Sequence, residues 1–132
     1  MKKGFTLMEL LIVIALIGIL VTMGVASYST AQVKSRDARR KADMKVIQNA
    51  YEQYYADTSS TYPTQTSQVT TAYLPGGHPT DPKPAPQPAY NITFPSLGYC
   101  ACATLEAGSG GNASSNTCGG TSGGWYCVRN LQ

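Results

Sequence analysis

The chain has 132 residues, 42% hydrophobic but only 13% charged, about half the charge of an ordinary soluble domain. A lone globule of this size needs more charge on its surface, so part of the apolar content must be shielded by something other than its own core. The net charge of +3 is local, drawn from Lys2, Lys3 and the run from Lys34 to Lys45, and does not describe a nucleic-acid-binding face.

Lys2 and Lys3 lead the chain, and Glu9 then stands alone in an apolar segment. From Leu10 to Val33 no residue is charged, and at 1.5 Å per helical residue that stretch reaches about 36 Å, enough for a bilayer core of about 30 Å. A secretory signal would begin the same way, and Gly24-Val25-Ala26 offers a peptidase-like site that would release a protein starting at Ser27. Glu9 argues against that reading, because a carboxylate in an apolar span costs roughly 2.5–3.5 kcal/mol and is kept only for a function.

Past the span, Lys34 to Lys45 forms a basic collar. Val46, Ile47, Ala50, Tyr51 and Tyr54 recur at helical spacing and predict a core-facing stripe, with Arg39, Arg40, Lys45 and Glu52 left in water. Asp57-Thr58-Ser59-Ser60-Thr61-Tyr62-Pro63 ends this helix. Six prolines between Pro75 and Pro88 then forbid helix and favour an extended surface path. His78, the sole histidine, lies in that loop without partners that would make a catalytic or metal site.

Strands are predicted at Tyr90 to Phe94, Gly98 to Leu105 and Trp125 to Leu131, forming a short antiparallel sheet. Seven glycines between Ala107 and Gly124 predict a floppy connection between the last two. Cys100, Cys102, Cys118 and Cys127 suggest two disulfides and an extracytoplasmic compartment. A direct Cys100 to Cys102 bond would strain a strand, so each is expected to pair with Cys118 or Cys127, in either order. The spacings do not match a zinc site, and no metal or other cofactor is expected. The Asn91 and Asn112 glycosylation sequons are taken as chance matches.

The block Gly4-Phe5-Thr6-Leu7-Met8-Glu9-Leu10-Leu11-Ile12-Val13-Ile14-Ala15-Leu16-Ile17-Gly18-Ile19-Leu20 resembles the N-terminal signal of type IV pilins and type II secretion pseudopilins. The resemblance implies a pilin-like α+β fold, with one long helix, transmembrane in its first half, packed on a small antiparallel sheet with a disulfide-stapled C-terminal loop. The implied divisions are a leader at 1–4, a stem helix at 5–57 with a membrane span at about 9–30, a Pro-rich surface region at 58–89, and a sheet with the cysteine loop at 90–132. A prepilin peptidase would cut between Gly4 and Phe5 and methylate the Phe5 amine. Glu9 would meet the Phe5 ammonium of a neighbouring copy during assembly on an inner-membrane platform. The implied partners are further copies, related subunits, the peptidase, the platform and membrane lipid, without nucleic acid. The implied product is a type IV pilus or a secretion pseudopilus, the alternative being a secreted or membrane-anchored disulfide-stabilised binding module not assembled into a filament, and no enzymatic role is expected.

Three features depart from the family or complicate the reading. Ala26 stands where many relatives have a proline, leaving any bend to Gly18 or Gly24. The collar exceeds the N-terminal lysines in positive charge, against the positive-inside rule, yet the signal and the cysteines require the N-terminus inside and the C-terminus outside. The calcium carried by major pseudopilins is not expected here, because the region after the stem offers only Asp81 and Glu106.

Overall fold

The computed structural model describes residues 4–69, 71–83 and 90–132. In chain order the elements are helix α1 (Leu7–Asp57), a 3-10 turn (Thr66–Gln68) and strands β1 (Asn91–Thr93), β2 (Cys100–Thr104) and β3 (Trp125–Arg129). Pro84, Pro86 and Pro88, half of the predicted extended run, lie outside the described residues. The chain divides into two compact units, Met1–Val33 and Lys34–Gln132.

In the first unit the helix begins with a reciprocal cap. Thr6 Oγ1 accepts the Glu9 amide at 3.2 Å, and Glu9 Oε2 accepts the Thr6 amide at 3.0 Å and the Thr6 hydroxyl at 2.9 Å. This Thr-x-x-Glu arrangement satisfies helix-end amides that would otherwise lack partners. The side chains that follow, from Leu7 to Val25, are largely exposed. Among the described residues, α1 is the one helix long and apolar enough to cross a membrane.

In the second unit α1 packs on a three-stranded antiparallel sheet of order β1-β2-β3. Met44, Ile47, Ala50 and Tyr51 form its buried stripe, and Tyr99, Ala101, Ala103 and Val128 meet it from the sheet. Alternation along β2 sends Ala101 and Ala103 to the helix and Cys100 and Cys102 to the opposite face, with Cys127, Ala113 and Trp125. Both faces are therefore buried, and the small alanines let the helix lie close. Tyr51 makes edge-on contact with Tyr99, their ring centroids 4.8 Å apart, and it stacks on Phe94 at 6.1 Å.

The strands are shorter than predicted, and two expected helix exposures are wrong. Val46 is 48% exposed and lies off the stripe, while Arg40 is 1% exposed. The buried face runs Asp37, Arg40, Met44, Ile47, Tyr51, at steps of three and four residues, so it extends into the charged collar. Helix α1 ends where Ser59 and Ser60 take φ of 55° and 61° and Ser60 N–H donates to the Tyr55 carbonyl at 3.1 Å.

The glycine-rich connection is also more ordered than its composition predicts. Ala113 and Trp125 exchange backbone hydrogen bonds at 3.0 and 3.1 Å, and Gly111 N–H donates to the Gly123 carbonyl at 2.9 Å. Asn112 imitates a strand neighbour, accepting the Cys127 amide at 2.7 Å and donating to the Cys127 carbonyl at 2.8 Å. A Cβ on Gly111 would collide with the Trp125 carbonyl, so the glycine allows this fold-back.

Candidate functional sites

Gly4 and Phe5 precede the Thr6 cap in irregular backbone. Phe5 is 84% exposed, and a Cβ placed on Gly4 would meet nothing within 4 Å. The expected junction thus lies just outside the helix, while Glu9 lies in its first turn. Sequence reasoning gave Glu9 an intermolecular role and missed its local one, although the Thr6-to-Glu9 spacing is a capping signal readable from sequence. Lys2 and Lys3 lie outside the described residues.

The four cysteines are brought together in the second unit. Cys100 bonds Cys118 and Cys102 bonds Cys127, which selects the crossed pairing from the two left open. Cys102 and Cys127 are direct cross-strand partners, and Cys118 ties the glycine-rich connection to the outer face of β2. All four sulfurs are consumed in disulfides.

An ion cluster that sequence reasoning did not anticipate lies around Asp37 and Arg40 in this unit. Arg40 reaches Asp81 through two hydrogen bonds of 2.7 and 2.8 Å, Asp37 at 2.7 Å and Glu106 at 2.8 Å. Arg36 grips Glu106 through two further hydrogen bonds of 2.7 and 2.8 Å, and Lys83 approaches the same carboxylate at 3.3 Å. Asp37 accepts the amides of Glu106 and Ala107 at 2.9 and 3.0 Å. Three cations thus balance three carboxylates, and Arg40 joins the helix to both the Pro-rich segment and the end of β2.

The Arg36 hydrogen bonds, assisted by Arg40 and Lys83, hold the Glu106 carboxyl down to about 2 against the desolvation that raises it. The Arg40 guanidinium likewise lowers Asp81. These are the two acids considered for a cation site, and both are engaged by basic side chains. The collar is therefore no simple solvated face, since Arg40 is buried and Arg36 is partly buried against Glu106. His78 Nε2 shares a hydrogen bond with the Tyr51 hydroxyl at 3.0 Å, and burial lowers its pKa. Burial pushes Tyr51 up to about 12, so this pair is a neutral structural contact at ordinary pH.

A model of the prokaryotic N-terminal methylation motif matches residues 1–25. The chain is similar to the type IV major pilin protein PilA of Myxococcus xanthus (strain DK1622), at 33% identity over 56 residues. That stretch covers 42% of this chain and 26% of the relative. No solved structure matches.

Proposed function

The chain carries the prepilin-type N-terminal methylation motif, and from that premise we propose that it is a pilin-like structural subunit, cut between Gly4 and Phe5, methylated on the Phe5 amine and polymerised into a filament. The observation that carries this reading is the motif over residues 1–25 leading into an exposed apolar helix with a carboxylate in its first turn. In lipid or in a bundle of stems such a surface is satisfied by apolar neighbours, whereas in water it is a large exposed patch.

The mature chain would lose Lys2 and Lys3, and its formal side-chain charge would fall from +3 to +1. Before assembly it would sit in the inner membrane with the N-terminus inside and the disulfide-bearing unit outside, handled by a prepilin peptidase and an assembly platform. The product is a type IV pilus or a secretion pseudopilus, and its role is structural, with no reaction catalysed. Glu9 has chemistry suited to assembly, because a carboxylate removed from water is stabilised by a cation and the cut Phe5 supplies one.

The intact mass and N-terminal sequence of the mature protein test this directly. The expected product begins at N-methyl-Phe5. A product beginning at Ser27, or an uncut chain in a strain with active prepilin peptidase, would overturn the proposal.

A further inference from the structure

The second unit uses most of its carboxylates internally. Asp37, Asp81 and Glu106 are in the ion cluster, Asp43 accepts the Tyr90 hydroxyl, and Glu52 accepts Tyr62, Tyr99 and the Leu131 amide, leaving Asp57 exposed at the end of the helix. The cluster takes Arg36, Arg40 and Lys83. That leaves Lys34, Arg39, Lys41, Lys45 and Arg129 without an ion pair among the described residues.

Four of those five line one junction. Lys34, Lys41 and Lys45 share a helix face, seven and four residues apart, or about 10 and 6 Å along the axis. Lys34 and Lys41 border a cleft of about 230 Å³ against Ala107 and Ser109. Lys45 and Arg129 border a second cleft of about 650 Å³ between α1, β3 and the disulfide-pinned connection. Two of the lysines are held in place. Lys41 Nζ donates to the Gly110 carbonyl at 2.7 Å and stands 5.6 Å over the Tyr126 ring. Lys45 Nζ donates to Gln48 Oε1 at 2.9 Å, and Gln48, only 6% exposed, is itself anchored to the Arg129 carbonyl at 2.8 Å. Among the described residues, no Asp or Glu side chain lines the larger cleft. Asp37, in the smaller one, is already engaged, and Glu52, further along the same helix face, marks the end of the basic strip.

We propose that this strip binds a linear acidic polysaccharide, its carboxylates paired with Lys34, Lys41, Lys45 and Arg129 and its hydroxyls received in the larger cleft. A second copy of this unit is a poor ligand, since five of its six side-chain carboxylates, all but Asp57, are already hydrogen-bonded. Single-stranded nucleic acid needs aromatic platforms for its bases, and Tyr126, the one aromatic ring on the strip, has Lys41 over it. A sugar hydroxyl needs both donors and acceptors. The cleft supplies both, through its two cations and the backbone of the exposed Gly119 and Gly120, while the Asn130 amide nitrogen already donates to the Gln132 carbonyl at 2.7 Å.

The test uses full-length protein in neutral detergent, with binding of size-selected polygalacturonate followed by calorimetry. Dextran, oligo-glutamate, oligodeoxythymidylate and phosphatidylglycerol vesicles are the comparison ligands. Polygalacturonate is expected to bind most tightly, more weakly as salt is raised, and about fivefold or more weakly to Lys45→Gln/Arg129→Gln. Lys34→Gln, outside the larger cleft, should weaken binding less but measurably. Arg39→Gln, a cation off the strip, should change it little. No binding, equal binding of dextran or oligo-glutamate, tighter binding of the oligonucleotide or vesicles, or an equal loss in Arg39→Gln would each overturn the proposal. If the double variant fails to fold, Lys34→Gln compared with Arg39→Gln decides between the strip and diffuse charge.

Discussion

Arg40 and Asp81 form a two-point ion pair across 41 residues of sequence, Nε to Oδ2 at 2.7 Å and Nη2 to Oδ1 at 2.8 Å, with the arginine 1% exposed. Two parallel hydrogen bonds fix direction as well as distance. The pair therefore sets where the segment after Pro79 lies against α1. Arg40→Met would leave Asp37, Asp81 and Glu106 short of a cation in a largely dry site, and breaking a buried pair in this way costs about 3–5 kcal/mol. Chemical denaturation of the full chain in detergent should show that loss. Arg39→Met, on an exposed position next to it, should stay within about 0.5 kcal/mol of the unaltered protein.

The same cluster makes the fold sensitive to acid. Glu106 is held down to about 2 from an ordinary value of 4.5, and Asp81 is lowered from 3.8. A carboxyl with a lowered folded pKa stabilises the fold fully above its unfolded value, and that contribution drains as pH falls towards the folded one. Stability should thus decline from about pH 5 downward and continue to fall to about pH 2. His78 acts in the same direction at higher pH, because its pKa is lowered by burial from 6.5 and acid favours the unfolded chain. Denaturation midpoints between pH 8 and pH 2 would show both effects. Glu106→Gln should lower the midpoint at pH 7 and flatten the acid slope.

The long helix, the antiparallel sheet and the disulfide-forming cysteines were legible because each rests on a local pattern, respectively an uncharged run, apolar strand segments between turn residues, and cysteine spacing. The crossed bridges were not, because Cys118 and Cys127 are equally plausible partners until β3 is placed beside β2. The burial of Arg40 is hidden in the sequence for a different reason. Composition sends arginine to water, and only the continuation of the Met44, Ile47, Tyr51 spacing back to Asp37 and Arg40 indicates burial. Its partners, Asp81 and Glu106, are too distant in sequence to announce themselves.

The two disulfides should differ in what they support. Cys102–Cys127 joins adjacent strands inside the buried cluster, and Cys102 is fully buried. Cys100–Cys118 closes the glycine-rich connection onto β2, and Cys118 is partly exposed with φ of 54°. Either loss should cost about 2–4 kcal/mol. Cys100→Ser/Cys118→Ser should chiefly release the connection, read as faster amide exchange at Ala113 and Gly111 with the strands still protected. Cys102→Ser/Cys127→Ser should lower the global midpoint further, since it also leaves two hydroxyls in a packed apolar cluster.

Glu9 has one observed role and one proposed role, and a single atom's change distinguishes them. Its carboxylate caps the helix through Thr6, and its charge is proposed to meet the Phe5 ammonium of a neighbouring copy. Glutamine keeps the acceptor oxygen and completes the same capping geometry but carries no charge. Glu9→Gln should therefore retain helix content and yield the same mature N-terminus at Phe5, while filament yield falls sharply. Thr6→Val should do the reverse, weakening the first turn with the charge in place and leaving most of the filament yield. Wild-type filament yield from Glu9→Gln would limit Glu9 to its capping role, and equal losses from both substitutions would tie assembly to the helix start. Quantifying sheared filaments against total membrane-bound subunit gives the required comparison.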